Sequence, residues 1–268
     1  LVIITAGIDL SVGSVLGFAA TLFSLLLIGY GWSAPFAITA TILAAAAMGA
    51  INGFIIARFK MQPFVATLGM MLVARGAAKW ISGGIKVQPG AAPWYHIQNG
   101  NPAIFDWMTS QTAVLGLRPI TLLFLLSVLL LWVVLRFTKF GRHLYAIGGN
   151  EEASRLSGVN VGALKVAAYT LCGLTAGLAG MCNASRVMLG DPGEAGATYE
   201  LDAIAAVVIG GTSLMGGKGG MFFTFLGTLI IAYISKILSL QGIPEAPRLM
   251  IRGALIVIAV LIQQRRRE

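Results

Sequence analysis

Ten polar or charged side chains stand in otherwise apolar surroundings: Asp9, Ser11, Ser14, Asn52, Thr67, Arg75, Asn183, Asp202, Thr212 and Ser213. Such groups are costly in lipid, so they face a cavity or bond to a partner helix. Asn52 and Thr67 lie deep in their apolar runs, where a polar substrate could use them. The rival reading for each is interhelical hydrogen bonding. Arg75 needs a carboxylate, a carbonyl or water, or it snorkels to the interface. Asp9 and Asp202 either line a pathway or hold interrupted helices together.

Enzymatic chemistry finds little support. Gly211–Lys218 has the flavour of a phosphate-binding loop, but Gly217-Lys218 is followed by Gly219 where Ser or Thr is required. Thr212 also stands where that pattern needs glycine. His96 and His143 fall on opposite sides of the expected membrane, and no metalloprotease, nucleophile-elbow or paired-cysteine motif occurs. Glu200 and Asp202, two residues apart, point away from each other on a helix. Cys172 and Cys182 are about 15 Å apart along a helix, too far for a disulfide. We therefore expect no catalytic residues, no metal site and no cofactor held by this chain.

The elements that position these residues are membrane helices. Of 268 residues, 57% are hydrophobic and 11% charged, against about 25% charged in soluble domains. Water cannot solvate such a surface, and the net charge of +9 reads as loop charge that orients spans, not as a nucleic-acid footprint. The expected fold is all-α, a single membrane domain over 1–268, with about seven to eight spans of roughly 20 residues and glycine-broken helices. The apolar runs are Leu1–Ile8, Val15–Gly29, Pro35–Ala57, Pro63–Ile81, Ile120–Phe137, Val161–Ser185, Leu201–Leu214, Met221–Leu240 and Leu249–Ile262. Leu1–Ile8 reads as the tail of a truncated first span.

With Arg265-Arg266-Arg267 placed inside, the Arg58/Lys60 connector, the 138–160 loop and Lys218 also fall inside. The 82–118 loop and the acidic 191–200 loop fall outside. The 82–118 loop shows no helical period, and its Trp94, Tyr95 and Trp107 read as interface anchors. Gly173–Gly177 and the face of Ala44–Ala47, Gly49 and Gly53 read as ordinary close helix packing. Phe222, Phe223 and Phe225 read as packing too. Two segments share G-x-x-L-x-x-G, Gly7–Gly13 and Gly211–Gly217. The helix breaks expected there, at Gly7, Gly13, Gly210, Gly211, Gly216 and Gly217, point to a transport pathway if the segments form an internal repeat.

The most informative loop is KFGRHLYAIGGNEEASRLSGVN, Lys139–Asn160. Asn150 suits the N-cap of a short helix over Glu151–Leu156, with Glu151 and Glu152 in its first turn and Gly158 as its stop. A charged, capped helix on the inner face suits docking of a soluble partner; the bland alternative is a solvated loop.

Glu152-Ala153-Ser154-Arg155-Leu156-Ser157-Gly158 resembles the EAA-x-x-x-G coupling loop of ABC importer permeases. GIDLSVGS (Gly7–Ser14), PFVATLG (Pro63–Gly69), AIGGNEEASRLSGVNV (Ala146–Val161) and ELDAIAAVVIGGTSLMGGKG (Glu200–Gly219) resemble, in order, the sugar-permease family typified by the ribose importer. Family members carry a further complete N-terminal span.

The resemblance implies a bacterial inner-membrane permease that forms the pathway with a second permease subunit, identical or paralogous. A cytoplasmic ABC ATPase, binding ATP and Mg, would dock on the coupling loop of Gly148, Gly149, Asn150, Glu151, Glu152, Ala153, Ser154 and Gly158. A periplasmic or lipid-anchored binding protein would deliver the sugar and set most of the selectivity. An ion-coupled secondary transporter is the alternative, with Asp9 and Asp202 as its carboxylates, though the capped helix would then lack a purpose. A scaffold or receptor would not need broken helices.

Overall fold

A computed structural model describes residues 1–111, 116–244, 246–251, 253, 254, 257 and 261. After a single 3-10 turn at Ile3–Thr5, the helices are α1 Val12–Ser24, α2 Ala34–Phe59, α3 Pro63–Ile81, α4 Ala103–Thr109 and α5 Pro119–Phe137. They continue as α6 Lys139–Gly149, α7 Glu151–Leu156, α8 Val161–Val187, α9 Tyr199–Ile209 and α10 Met221–Leu240. Helix α1 runs on through a π-helical turn, Leu25–Gly29. Six of these helices, counting α1 with its extension, are long and apolar enough to cross a membrane; the others are α2, α3, α5, α8 and α10.

The chain forms two compact units, one of residues 8–127 and 162–197, the other of residues 1–7, 128–161 and 198–268. In the first, α1 is the buried centre: Val15, Ala19, Ala20, Phe23, Leu25 and Ile28 are all nearly inaccessible. Helices α2 and α3 open with Pro35 and Pro63 in their first turns, where a missing N–H costs nothing. Their inner stripes are small: Ala37, Thr41, Ala45, Gly49 and Gly53 on α2, and Ala66, Met70, Ala74 and Ala78 on α3. Phe36, Leu43, Phe54, Phe64 and Leu72 point outward, as lipid contact demands.

The two small-residue faces seen in the sequence pack on each other. A Cβ on Gly173 would lie 2.4 Å from the Ala45 carbonyl oxygen, and one on Gly49 2.2 Å from that of Tyr169. Backbones that close leave room for nothing larger than hydrogen, so these glycines do the packing work expected of them.

The second unit carries α6 and α7, and α9 packed antiparallel on α10. Gly210 abuts the Phe223 carbonyl and Gly227 that of Ala206.

Four expectations need correction. The Leu201–Leu214 run is helical only to Ile209, about 16 Å at 1.5 Å per residue, and so falls short of the roughly 30 Å hydrocarbon core. Gly210 caps it and Gly211, at φ +74°, turns the chain away. The 82–118 loop contains a helix, α4, with Phe105 and Met108 buried. Its Tyr95 is 2% exposed and no interface anchor, whereas Trp94 and Trp107 are exposed. Phe222 and Phe223 face outward, edge to face on each other. Half of the Leu249–Ile262 run and all of Arg265–Arg267 lie outside the described residues.

Candidate functional site

In the first unit, a polar cluster gathers where α1 begins. Asp9 Oδ1 accepts from the Ser11 amide at 2.9 Å and from the Ser11 hydroxyl at 2.6 Å, an Asx turn that feeds the chain into the helix. Asn52, fully buried on α2, donates its Nδ2 to Ser11 Oγ at 3.0 Å. Thr67, fully buried on α3, donates to the Pro63 carbonyl at 2.9 Å and reaches the Ile8 carbonyl at 3.3 Å. Cys172 and Tyr169, both on α8, lie within electrostatic reach of Asp9. Four of the residues singled out in the sequence, Asp9, Ser11, Asn52 and Thr67, therefore belong to one constellation joining the start of α1 to α2 and α3.

The cluster is incompletely satisfied. The Asn52 carbonyl oxygen and the Tyr169 hydroxyl are buried without a hydrogen-bond partner. Each such group costs about 1–3 kcal/mol.

Arg75 lies elsewhere on α3. Its Nη1 donates to the carbonyls of Ala195 at 2.8 Å, Gly193 at 3.0 Å and Pro192 at 3.4 Å. Of the partners it could take, it uses backbone carbonyls, and so fixes the 191–197 loop. That loop is also tied to the 82–118 loop. Val87 and Gly190 exchange amide–carbonyl bonds of 2.8 and 2.9 Å, and Lys86 Nζ meets Asp191 Oδ2 at 3.0 Å. Burial pushes the Asp191 carboxyl up, but the amides of Glu194 and Gly193 and the Lys86 ammonium outweigh it and hold the group below its ordinary value. Two segments expected on the outer side thus pair with each other. Asn183 is half-buried on α8, apart from these bonds.

In the second unit, Thr138 caps α6 by accepting from the Gly141 amide at 3.2 Å. Leu144 and Ile147 bury one face of that helix. Asn150 Oδ1 accepts from the Ala153 amide at 2.9 Å, and α7 runs over Glu151–Leu156 as the sequence leads one to expect. Gly158, at φ +82°, ends the turn, a conformation that costs glycine nothing. Arg155 pairs with Glu151 at 3.1 Å and lies 3.9 Å from Glu152, exposed contacts worth about 0.3–0.5 kcal/mol. Sequence reasoning missed Leu156. It is 82% exposed at the end of this charged helix, an apolar knob whose amphipathic neighbours concealed it.

The C-terminal end of α6 presses on the glycine segments. A Cβ on Gly148 would lie 1.8 Å from the Ile4 carbonyl oxygen and 2.4 Å from the Gly217 nitrogen. Tyr145 donates its hydroxyl to the Gly219 carbonyl at 2.9 Å. Thr212 and Ser213 are buried in this turn, and Ser213 Oγ accepts from the Met215 amide at 3.2 Å. Asp202 and Glu200 occupy the first turn of α9, where carboxylates suit the helix dipole.

The two G-x-x-L-x-x-G segments are not structural copies. Gly211, Gly216 and Gly217 take positive φ, as breaks should. Gly7 lies in the non-helical stretch before α1, after a left-handed Ala6. Gly13, by contrast, is inside α1 and breaks nothing. Its carbonyl lies 2.0 Å from where a Gly196 Cβ would be, so its neighbourhood is one of close packing.

Long apolar helices, a half-length helix ending in a glycine turn, and buried polar groups beside helix starts define a multi-pass α-helical membrane transport protein. The chain belongs to the family described as "Branched-chain amino acid transport system / permease component", which it matches over residues 1–260. It is 39% identical to the "Ribose import permease protein RbsC" of Escherichia coli (strain K12) over 99% of this chain and 80% of that one. It is 40% identical to the protein of the same name from Bacillus subtilis (strain 168), over 99% of this chain and 79% of that one. With the "Xylose transport system permease protein XylH" of Escherichia coli (strain K12) it shares 34%, over 97% and 78%. No solved structure matches it.

Proposed function

We propose that this chain is the pathway-forming permease subunit of a bacterial inner-membrane ABC importer for a monosaccharide, with pentoses the leading class. Relatives named for ribose and xylose import, similar over nearly the whole chain, support that substrate class. The observation that carries the reading is the α6–α7 element. It is a helix anchored by its apolar face, followed at once by an exposed, Asn150-capped helix that presents Glu152 and Leu156.

On this reading a cytoplasmic ATPase seats on α7 and supplies the ATP and Mg chemistry. A second permease subunit completes the pathway, and an external binding protein delivers the sugar to the face that carries the paired 82–118 and 191–197 loops. Movement of α7 passes through α6 to the Ile4 and Gly217 backbones. The polar cluster of Asp9, Ser11, Asn52 and Thr67 closes the inner part of the pathway, because it ties the start of α1 to α2 and α3. No observation favours an ion-coupled transporter.

Reconstitution with candidate ATPase and binding-protein subunits in liposomes tests the proposal. Uptake of labelled ribose or xylose that requires ATP inside is the expected result. Uptake driven by an ion gradient with no ATPase present would refute it.

A further inference from the structure

The seam between α2 and α8 holds two polar groups that nothing in their surroundings satisfies, the Asn52 carbonyl oxygen and the Tyr169 hydroxyl. Both residues are essentially inaccessible, at 0% and 1% exposure. The other end of the Asn52 amide is committed to Ser11 Oγ, which in turn donates to Asp9. Tyr169 packs from the α8 side on Gly49 and Gly53, which flank Asn52 on α2. The two orphan groups thus border the same turn. A phenylalanine would fill the Tyr169 site with no unsatisfied hydroxyl. Buried polar groups left unpaired call for a particular explanation.

The seam itself supplies one. Its contact surface is glycine: a Cβ on Gly53 would lie 2.6 Å from Val166 Cα, and one on Gly173 3.0 Å from the Gly49 nitrogen. Smooth faces of this kind part without unlocking interdigitated side chains, and their parting would uncover the orphan groups.

We propose that Asn52 and Tyr169 form a hydroxyl-binding pair of the translocation pathway, engaged by a neutral polyhydroxy substrate when α2 and α8 separate. The chemistry matches. The amide oxygen is an acceptor only, the phenol both donates and accepts, and neither carries charge. The pair therefore suits sugar hydroxyls better than an anion or a cation. The Tyr169 ring adds an apolar face for the C–H side of a sugar ring. The inference rests on the permease reading above and assigns Tyr169, which no motif marks, a direct role in it.

The test is Tyr169→Phe in the complete transporter, reconstituted with its ATPase and saturating binding protein. Two quantities are read: the thermal unfolding temperature of the assembled complex, and labelled ribose or xylose moved per ATP hydrolysed. An unfolding temperature that holds or rises, with sugar per ATP reduced about tenfold, the loss of one hydrogen bond, is the expected result. Equal sugar per ATP in variant and wild type would overturn the inference. So would a fall in unfolding temperature that accounts for the loss, because the hydroxyl would then have a structural partner such as a buried water. ATP-independent behaviour of the wild type itself would instead sink the permease reading beneath it.

Discussion

The amide of Gly217 donates to the carbonyl of Ile4 at 2.9 Å, at a junction where a Cβ on Gly148 would meet both of these backbone segments. Helix α6 therefore ends on a three-way backbone junction between the N-terminal segment, the 210–219 turn and the start of α7. Backbone cannot give way as a side-chain tip can, so the junction transmits displacement instead of absorbing it.

Gly148→Ala should destabilise the protein by about 1–3 kcal/mol, since its Cβ would overlap the Ile4 carbonyl and the Gly217 nitrogen. Gly149→Ala meets nothing within 4 Å and should leave the unfolding temperature near that of the wild type. Thermal unfolding of the two variants in one detergent separates them. Equal behaviour would mean that the junction is slack.

Arg75→Met should lower stability by about 1–3 kcal/mol, because the carbonyls of Pro192, Gly193 and Ala195 lose a common donor. Arg75→Lys keeps the charge but not the planar fork, and should recover only part of the loss. Denaturation in mild detergent measures both. Full rescue by lysine would show that charge alone matters at this position.

Asp191 supplies a pH dependence. Its carboxyl is held below the ordinary 3.8 in the folded chain. A depressed folded value contributes stability above the unfolded value, and that contribution is lost as pH falls through the folded one. The stability gap between wild type and Asp191→Asn should therefore be constant at neutral pH and shrink only below about pH 4. A gap that widened on acidification would contradict the Lys86 pairing.

Leu156→Ser should weaken retention of the ATPase about tenfold, the effect expected of one apolar anchor at an interface, with the unfolding temperature unchanged because the side chain is exposed. Co-purification yield at fixed detergent reads this out. Undiminished retention would place the docking surface off α7.

The sequence made the α6–α7 element legible because its signals are local. An asparagine cap, two acidic residues and a stopping glycine set the limits of α7, and prolines likewise mark the starts of α2 and α3. The α9 boundary was hidden because apolarity continues through Val208 and Ile209 toward Leu214, while the chain turns at Gly210-Gly211. Helix α4 is seven residues long, too short for periodicity to show. Arg75 finds carbonyls more than a hundred residues away, and pairing over such separations leaves no local trace. Tyr169 stands in an apolar run with no motif around it. Its burial against Gly49 and Gly53, with an unpartnered hydroxyl, is what sets it apart.

The most direct test of the central claim is a pull-down of the tagged permease from membranes in mild detergent, with bound proteins identified and ATPase activity assayed. Wild type is expected to retain an ABC ATPase, and a Glu152→Ala, Gly158→Val double variant to lose it while staying folded. Recovery of the wild-type chain without any ATPase, or equal retention by the double variant, would contradict the account.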